Sequence, residues 1–134
     1  MCALIALAAG LLIGAAPAPA ADAAASAWAV TEHGRVRLIS AGVSTGGSAH
    51  VSLGLEFRLR QGWKIYWRSP GDAGYPPQID WTGSENLAAA ALLWPAPQRF
   101  TVLGFETVGY DTPQVLPIAA TLERPGAPVA LQAR

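Results

Sequence analysis

Hydrophobic and polar side chains alternate most strictly between His50 and Arg60. Val51, Leu53, Leu55, Phe57 and Leu59 fall on one side; His50, Ser52, Gly54, Glu56, Arg58 and Arg60 fall on the other. Successive side chains of a strand point to opposite faces, so this pattern predicts an antiparallel strand with one buried and one wet face. The same rhythm returns after Gln61-Gly62, where Trp63, Ile65 and Trp67 oppose Lys64, Tyr66 and Arg68. A tight connection between two such segments predicts a hairpin, with Trp63 and Trp67 as core. Residues 28–40 read as strand broken by a turn at His33-Gly34, with Val36 and Leu38 set against Arg35, Arg37 and Ile39.

Further short strands are expected at 78–81, 87–94, 100–105, 107–110, 115–122 and 129–134. The four alanines in 87–94 favour helix by propensity. The run is short, however, stops at Pro95 and has strands on both sides, so it reads as strand. Pro117 implies an edge position or a bulge, because proline cannot donate to a ladder. Roughly seven to nine short strands, separated by glycine and proline, predict an all-β fold, an antiparallel β-sandwich in one domain. Residues 129–134 alternate as a strand still running at the last residue, so the sandwich is expected to be incomplete at its C-terminus.

Residues 62–77 hold the densest aromatic, proline and glycine content. Ser69-Pro70-Gly71-Asp72 is turn chemistry, since proline presets φ and glycine and aspartate tolerate positive φ. Tyr75-Pro76-Pro77 lacks two backbone donors and should be extended. A stiff aromatic strand feeding a stiff loop holds a surface in one shape. Tyr66, Arg68, Pro70, Gly71, Asp72, Gly74 and Tyr75 are therefore the candidate partner-binding residues, tyrosine being enriched at interfaces.

The N-terminus has a different character. Residues 3–16 form an uncharged apolar run, followed by Ala16-Pro17-Ala18-Pro19-Ala20-Ala21. A short apolar core before small residues is an export-signal pattern, and the run is shorter than the roughly 20 residues that span a bilayer. Residues 1–20 are expected to be a signal peptide, although no Lys or Arg precedes the run, and 21–27 a flexible leader into the domain at 28–134. Cys2 is the only cysteine. It lies before the apolar run, not after it as a lipid-modified cysteine would. The exported part should therefore hold no disulfide, thiolate metal site or redox pair.

Charge removes several classes. Nine basic residues balance nine acidic ones, and charged residues make up 13% of the chain. That is about half the usual share, and no basic cluster points to nucleic acid. Gly42-Val43-Ser44-Thr45-Gly46 fits G-x-S-x-G, but a nucleophile elbow needs a strand before it and a helix after it. Here a Gly/Ser-rich stretch precedes a strand. His33 and His50 have no second ligand at metal spacing. Asp72 and Asp80 are explained by a turn and a wet strand face. No catalytic residue, metal or cofactor is expected.

The string from Gly62 to Gly74, then Pro76-Pro77, Asp80-Trp81, Gly83-Ser84-Glu85-Asn86, Leu93-Trp94-Pro95-Ala96-Pro97 and Gly109-Tyr110, resembles the N-terminal periplasmic domain of the DsbD/ScsB family, closest to its ScsB-like branch. These are thiol:disulfide interchange proteins (protein-disulfide reductases), also associated with cytochrome c biogenesis and suppression of copper sensitivity. The resemblance implies an immunoglobulin-like domain in the periplasm, anchored through its full-length protein to the inner membrane. It implies periplasmic thioredoxin-like oxidoreductases as partners, together with the membrane and thioredoxin-like domains of the whole protein. The family transfers electrons through a cysteine pair, expected beyond Arg134, so this chain reads as a fragment that is inactive alone. The competing expectation is an exported, non-redox β-sandwich that binds a partner or ligand.

The export expectation is checked by N-terminal sequencing of periplasmic material. The mature chain should begin between about residues 20 and 27; periplasmic protein still starting at Met1 would refute it.

Overall fold

The alternating segment becomes β3 (His50–Leu59), and its two neighbours bring matching apolar residues. The computed structural model describes residues 25–42 and 45–134. The expected signal peptide, most of the leader, Cys2, and Val43 and Ser44 of the G-x-S-x-G match lie outside the described residues. The remaining strands are β1 (Ala29–Thr31), β2 (Gly34–Ser40), β4 (Ile65–Gly71), β5 (Leu87–Leu92), β6 (Gln98–Val102), β7 (Phe105–Tyr110) and β8 (Gln114–Leu122). They form a five-stranded sheet, β1-β2-β3-β8-β5, and a three-stranded sheet, β4-β7-β6, antiparallel throughout. The described chain contains no helix; this is the all-β antiparallel sandwich that the turn-rich pattern predicts, consistent with the immunoglobulin-like domain that the resemblance implies.

The register places like with like. Leu55 pairs with Leu38 on β2 and Leu116 on β8, and Leu53 with Ile118. Leu53, Leu55, Leu116, Ile118 and Ala120 of the larger sheet enclose a core with Ile65 and Tyr110 of the smaller one. The Tyr110 hydroxyl donates to the Pro95 carbonyl at 2.8 Å, so the buried ring brings no orphaned polar atom inside. Burial raises its ionisation above the ordinary tyrosine range.

Several expectations are corrected. β3 and β4 are not a hairpin; residues 60–64 carry the chain from one sheet to the other. A hairpin would leave both apolar faces on one side of a single sheet, whereas crossing over turns them toward each other. Trp63 lies in that crossover and is 43% exposed, not core. Residues 69–71 belong to β4, and the turn follows them. Pro117 is not on an edge strand, because β8 lies between β3 and β5. It is tolerated because its carbonyl accepts from Leu93 N at 2.8 Å, just past the end of β5, where a missing return bond interrupts nothing. Residues 78–81 and 129–134 are not assigned strands. They run as a loose pair, with Asp80 and Arg134 exchanging backbone bonds of 2.9 and 3.0 Å and Glu85 bridging Ala130.

On the outward face of the larger sheet Glu56 is held between two arginines. Arg37 Nε donates to it at 2.7 Å, and Arg58 Nε and Nη2 at 3.1 and 2.9 Å. The Arg37 hydrogen bond, then that of Arg58, holds the carboxyl below its ordinary value. Only the ionised form receives this support, so its contribution is complete above the unfolded value of 4.5 and is lost as pH falls through the depressed folded value. Glu56→Gln should therefore cost about 1–2 kcal/mol near pH 7, the exposed Arg58 supplying the smaller share. The gap from wild type in denaturant unfolding should shrink on acidification; a gap independent of pH would contradict the assignment.

Candidate functional site

The loop-bearing strand β4 pairs with β7 in two separate places. Ile65 and Tyr66 oppose Tyr110 and Gly109, then Gly71 opposes Thr107. Residues 67–70 therefore face Val108 alone and bow outward as an enlarged bulge. Pro70 lies inside it, where no ladder bond is asked of its nitrogen. The bulge carries Arg68, whose guanidinium carbon lies 4.8 Å from the Trp67 ring centroid. The Trp67 indole N–H is buried and has no hydrogen-bond partner.

The far end of the bulge is fixed tightly. Asp72 N donates to the Glu106 carbonyl at 2.9 Å, and Glu106 N donates back to Asp72 Oδ2 at 3.2 Å. Gly71 has φ +91°, and a Cβ there would lie 2.5 Å from the same Glu106 carbonyl. Glycine is required on both counts. The chain then folds back so that Gly74, at φ +102°, lies flat against the Tyr66 ring; a Cβ would meet ring atoms at 2.6 Å.

Beyond Gly74 the chain reaches Tyr75, which is 91% exposed. Tyr66, Tyr75 and Pro77 line a cleft of about 280 Å³ whose other walls include Phe57, His33 and Lys64. The Lys64 ammonium sits 4.9 Å from the Phe100 ring centroid, and the rings of His33 and Trp63 meet edge-on at 3.8 Å.

The seven expected residues thus divide by role. Tyr66 and Tyr75 line the cleft, Gly74 packs against the Tyr66 ring, Gly71 and Asp72 anchor the loop to β7, and Arg68 and Pro70 lie on the bulge. Sequence reasoning missed His33, weighed only as a metal ligand, and Trp63, assigned to the core. Gly62, with φ +87°, breaks the alternation before Trp63, and that glycine was the available signal. Among the described residues no group of acidic, histidine or cysteine side chains is arranged to hold a metal. No helix there is long and apolar enough to cross a membrane.

The sequence model for the N-terminal region of the thiol:disulfide interchange protein DsbD matches residues 40–134. The chain belongs to this family. A solved structure, the N-terminal periplasmic domain of ScsB from Proteus mirabilis, is similar to this DsbD-family chain at 30% identity with a TM-score of 0.64. The similarity covers 83% of this chain and 49% of that one, so the family member described here spans about half the length of the ScsB domain it matches. No curated protein matches the chain.

The fit of Gly74 under Tyr66 is testable against Gly126, which also has positive φ (+80°) but nothing near a built Cβ. Gly126→Ala should cost about 1 kcal/mol from backbone strain alone. Gly74→Ala should cost about 1–3 kcal/mol more and shift the Tyr66 ring resonances. Equal losses, with Tyr66 unmoved, would show that the ring does not hold the loop.

Proposed function

We propose that this chain is the docking scaffold of a periplasmic domain that passes reducing equivalents to thioredoxin-like oxidoreductases. Membership of the DsbD N-terminal family supports the class of function. The observation that carries the docking role is the bulged β4 and its fixed loop, which present Arg68 and Tyr75 outward from a stiff base. Aromatic and arginine side chains on a preorganised surface are the usual anchors of a protein interface. Export by residues 1–20 into the periplasm, with 21–27 as leader to the domain at 28–134, belongs to the same reading.

The transfer chemistry needs thiols. A thiolate attacks one sulfur of a disulfide, a mixed disulfide forms, and a second thiol displaces it. Residues 3–134 contain no cysteine. The thiols that exchange are therefore supplied by protein outside these residues, and the scaffold's part is to place the partner. Thioredoxin-like oxidoreductases, together with the membrane and thioredoxin-like domains of the full-length relatives, are the partners this reading names.

The test mixes the 134-residue chain with a disulfide-bonded substrate and a reduced thioredoxin-like donor. Electron transfer should not exceed the donor-alone rate. In the same mixture, NMR titration should show saturable shifts confined to Tyr66, Arg68, residues 70–74 and Tyr75. Transfer above the donor rate would overturn the external source of thiols. Absence of saturable binding would overturn docking and favour an exported, non-redox binding module.

A further inference from the structure

The outward face of the five-stranded sheet lies on the opposite layer from β4; Arg35 also borders the Tyr66–Tyr75 cleft, but the docking role just described uses none of the face's other residues. Outward faces of exposed sheets ordinarily carry polar side chains. This one is divided into a basic half and an apolar half.

The basic half is organised around Trp28. The guanidinium carbons of Arg35 and Arg37 lie 4.6 and 4.4 Å from its ring centroid, and that of Arg58 lies 6.0 Å away. The placement follows from the register, since Arg35 pairs with Arg58 and Arg37 with Glu56 across β2 and β3. Three guanidiniums thus face one carboxylate. Glu56 is occupied by Arg37 and Arg58, and Arg35 makes no ion pair among the described residues. Stacking on an indole fixes a guanidinium's plane while leaving its in-plane N–H groups free to donate. The patch is therefore preorganised for carboxylates.

The apolar half lies on the next strands. Val115, Pro117 and Ala119 alternate outward on β8, opposite Glu56, Gly54 and Ser52 of β3, and Ala91 of β5 lies opposite Ala119. Gly54 provides the junction. A Cβ there would come within 2.9 Å of Val115 Cγ1 and 3.2 Å of Ile39 Cγ1, so its absence lets these two side chains close over the strand. Val115 is 40% exposed, and Leu93 at the end of the strip is 51% exposed.

We propose that this face is a second docking surface, for an extended, acidic protein segment whose carboxylates meet Arg35, Arg37 and Arg58 and whose apolar side chains lie along Val115, Pro117 and Ala119. Charge complementarity selects the acidic partner. The shape selects protein over membrane. Alanine, proline and glycine make a flush strip that another backbone can approach closely, and only Leu93, at its end, projects from it, which is too little apolar surface to seat in a bilayer.

The probes are a blocked Glu-Val-Glu-Val-Glu-Val peptide, its Lys-for-Glu analogue, and vesicles of phosphatidylglycerol and phosphatidylethanolamine, each added to the ¹⁵N-labelled chain. The acidic peptide should bind saturably below about 1 mM. It should shift the Trp28 indole N–H, Arg35 Nε–H and the Val115 and Ala119 amides, and leave Tyr75 unmoved. Arg35→Glu should weaken binding about tenfold, and added salt should weaken it further. Arg35→Gln, which keeps a side chain over Trp28, should give a smaller loss and serves if the charge reversal unfolds the sheet. Ala119→Glu, on the apolar strip, should weaken the acidic peptide as well. Equal binding of the Lys peptide, no saturable binding, shifts confined to the β4 loop, or vesicle binding without peptide binding would each overturn the proposal. Shifts at Tyr75 alone would overturn this surface and leave the thioredoxin-like docking role standing, so the two readings fail separately.

Discussion

The structure depends on the apolar face of β3 being covered from across the sandwich. Leu53 and Leu55 lie at the centre of the larger sheet and meet Ile65 and Tyr110 of the smaller one. Burying such side chains stabilises by roughly 1.5–3 kcal/mol each, and the smaller sheet has few other residues with which to do it. The crossover at 60–64 exists to set these faces opposite each other. β4 becomes the edge of its own three-stranded sheet for the same reason, and an edge strand has room for a bulge that a central one lacks.

Close backbone approach ties the smaller sheet together. Gly109 lies directly under the Ile65 carbonyl, where a Cβ would collide with the oxygen. The β4–β7 pairing therefore requires a residue without a side chain at the point where β4 begins to bow outward. Beyond the bow, Asp72 N donates to the Glu106 carbonyl and the Asp72 carboxylate accepts from Glu106 N, which closes it off. In the larger sheet Gly54 has a different use. It permits side chains of neighbouring strands to meet above it, so that an outward face gains an apolar seam.

Much of this was legible in the residues. The strict alternation of 50–60 specified β3 and its buried face, because period-two patterning leaves a strand only one way to turn. The alanine run at 87–92 was resolved as strand by its flanking strands and Pro95, against its helical propensity. Pairing across distance was not legible. Gln61-Gly62 has hairpin chemistry, and local turn chemistry does not say which sheet the next strand joins. Pro117 was misplaced because a proline's tolerance depends on where its neighbour ends, which Leu93 decides some twenty residues earlier in the chain. For the candidate site, the sequence showed Tyr66, Gly74 and Tyr75 as a dense stretch, but the meeting of Tyr66 and Tyr75 with His33, Phe57 and Lys64 required the fold. Of the arginines around Trp28, Arg35 and Arg37 fell opposite Val36 and Leu38, and Arg58 on the wet face of β3. Alternation could place them together, but it could not show an indole between them.

The enlarged bulge of β4 also acts as a reserve of chain length. In an ordinary ladder a single inserted or deleted residue turns every later side chain to the wrong face. Here Tyr66 is tied to Gly109 on one side of the bow and Gly71 to Thr107 on the other, and the two ties are set independently. Slack between them can be taken up or let out without disturbing Ile65 beneath or the Tyr66–Gly74 contact. The bow is thereby the stretch whose length can drift most freely, with Trp67 held to the core by its packing, while the frame on either side stays in register.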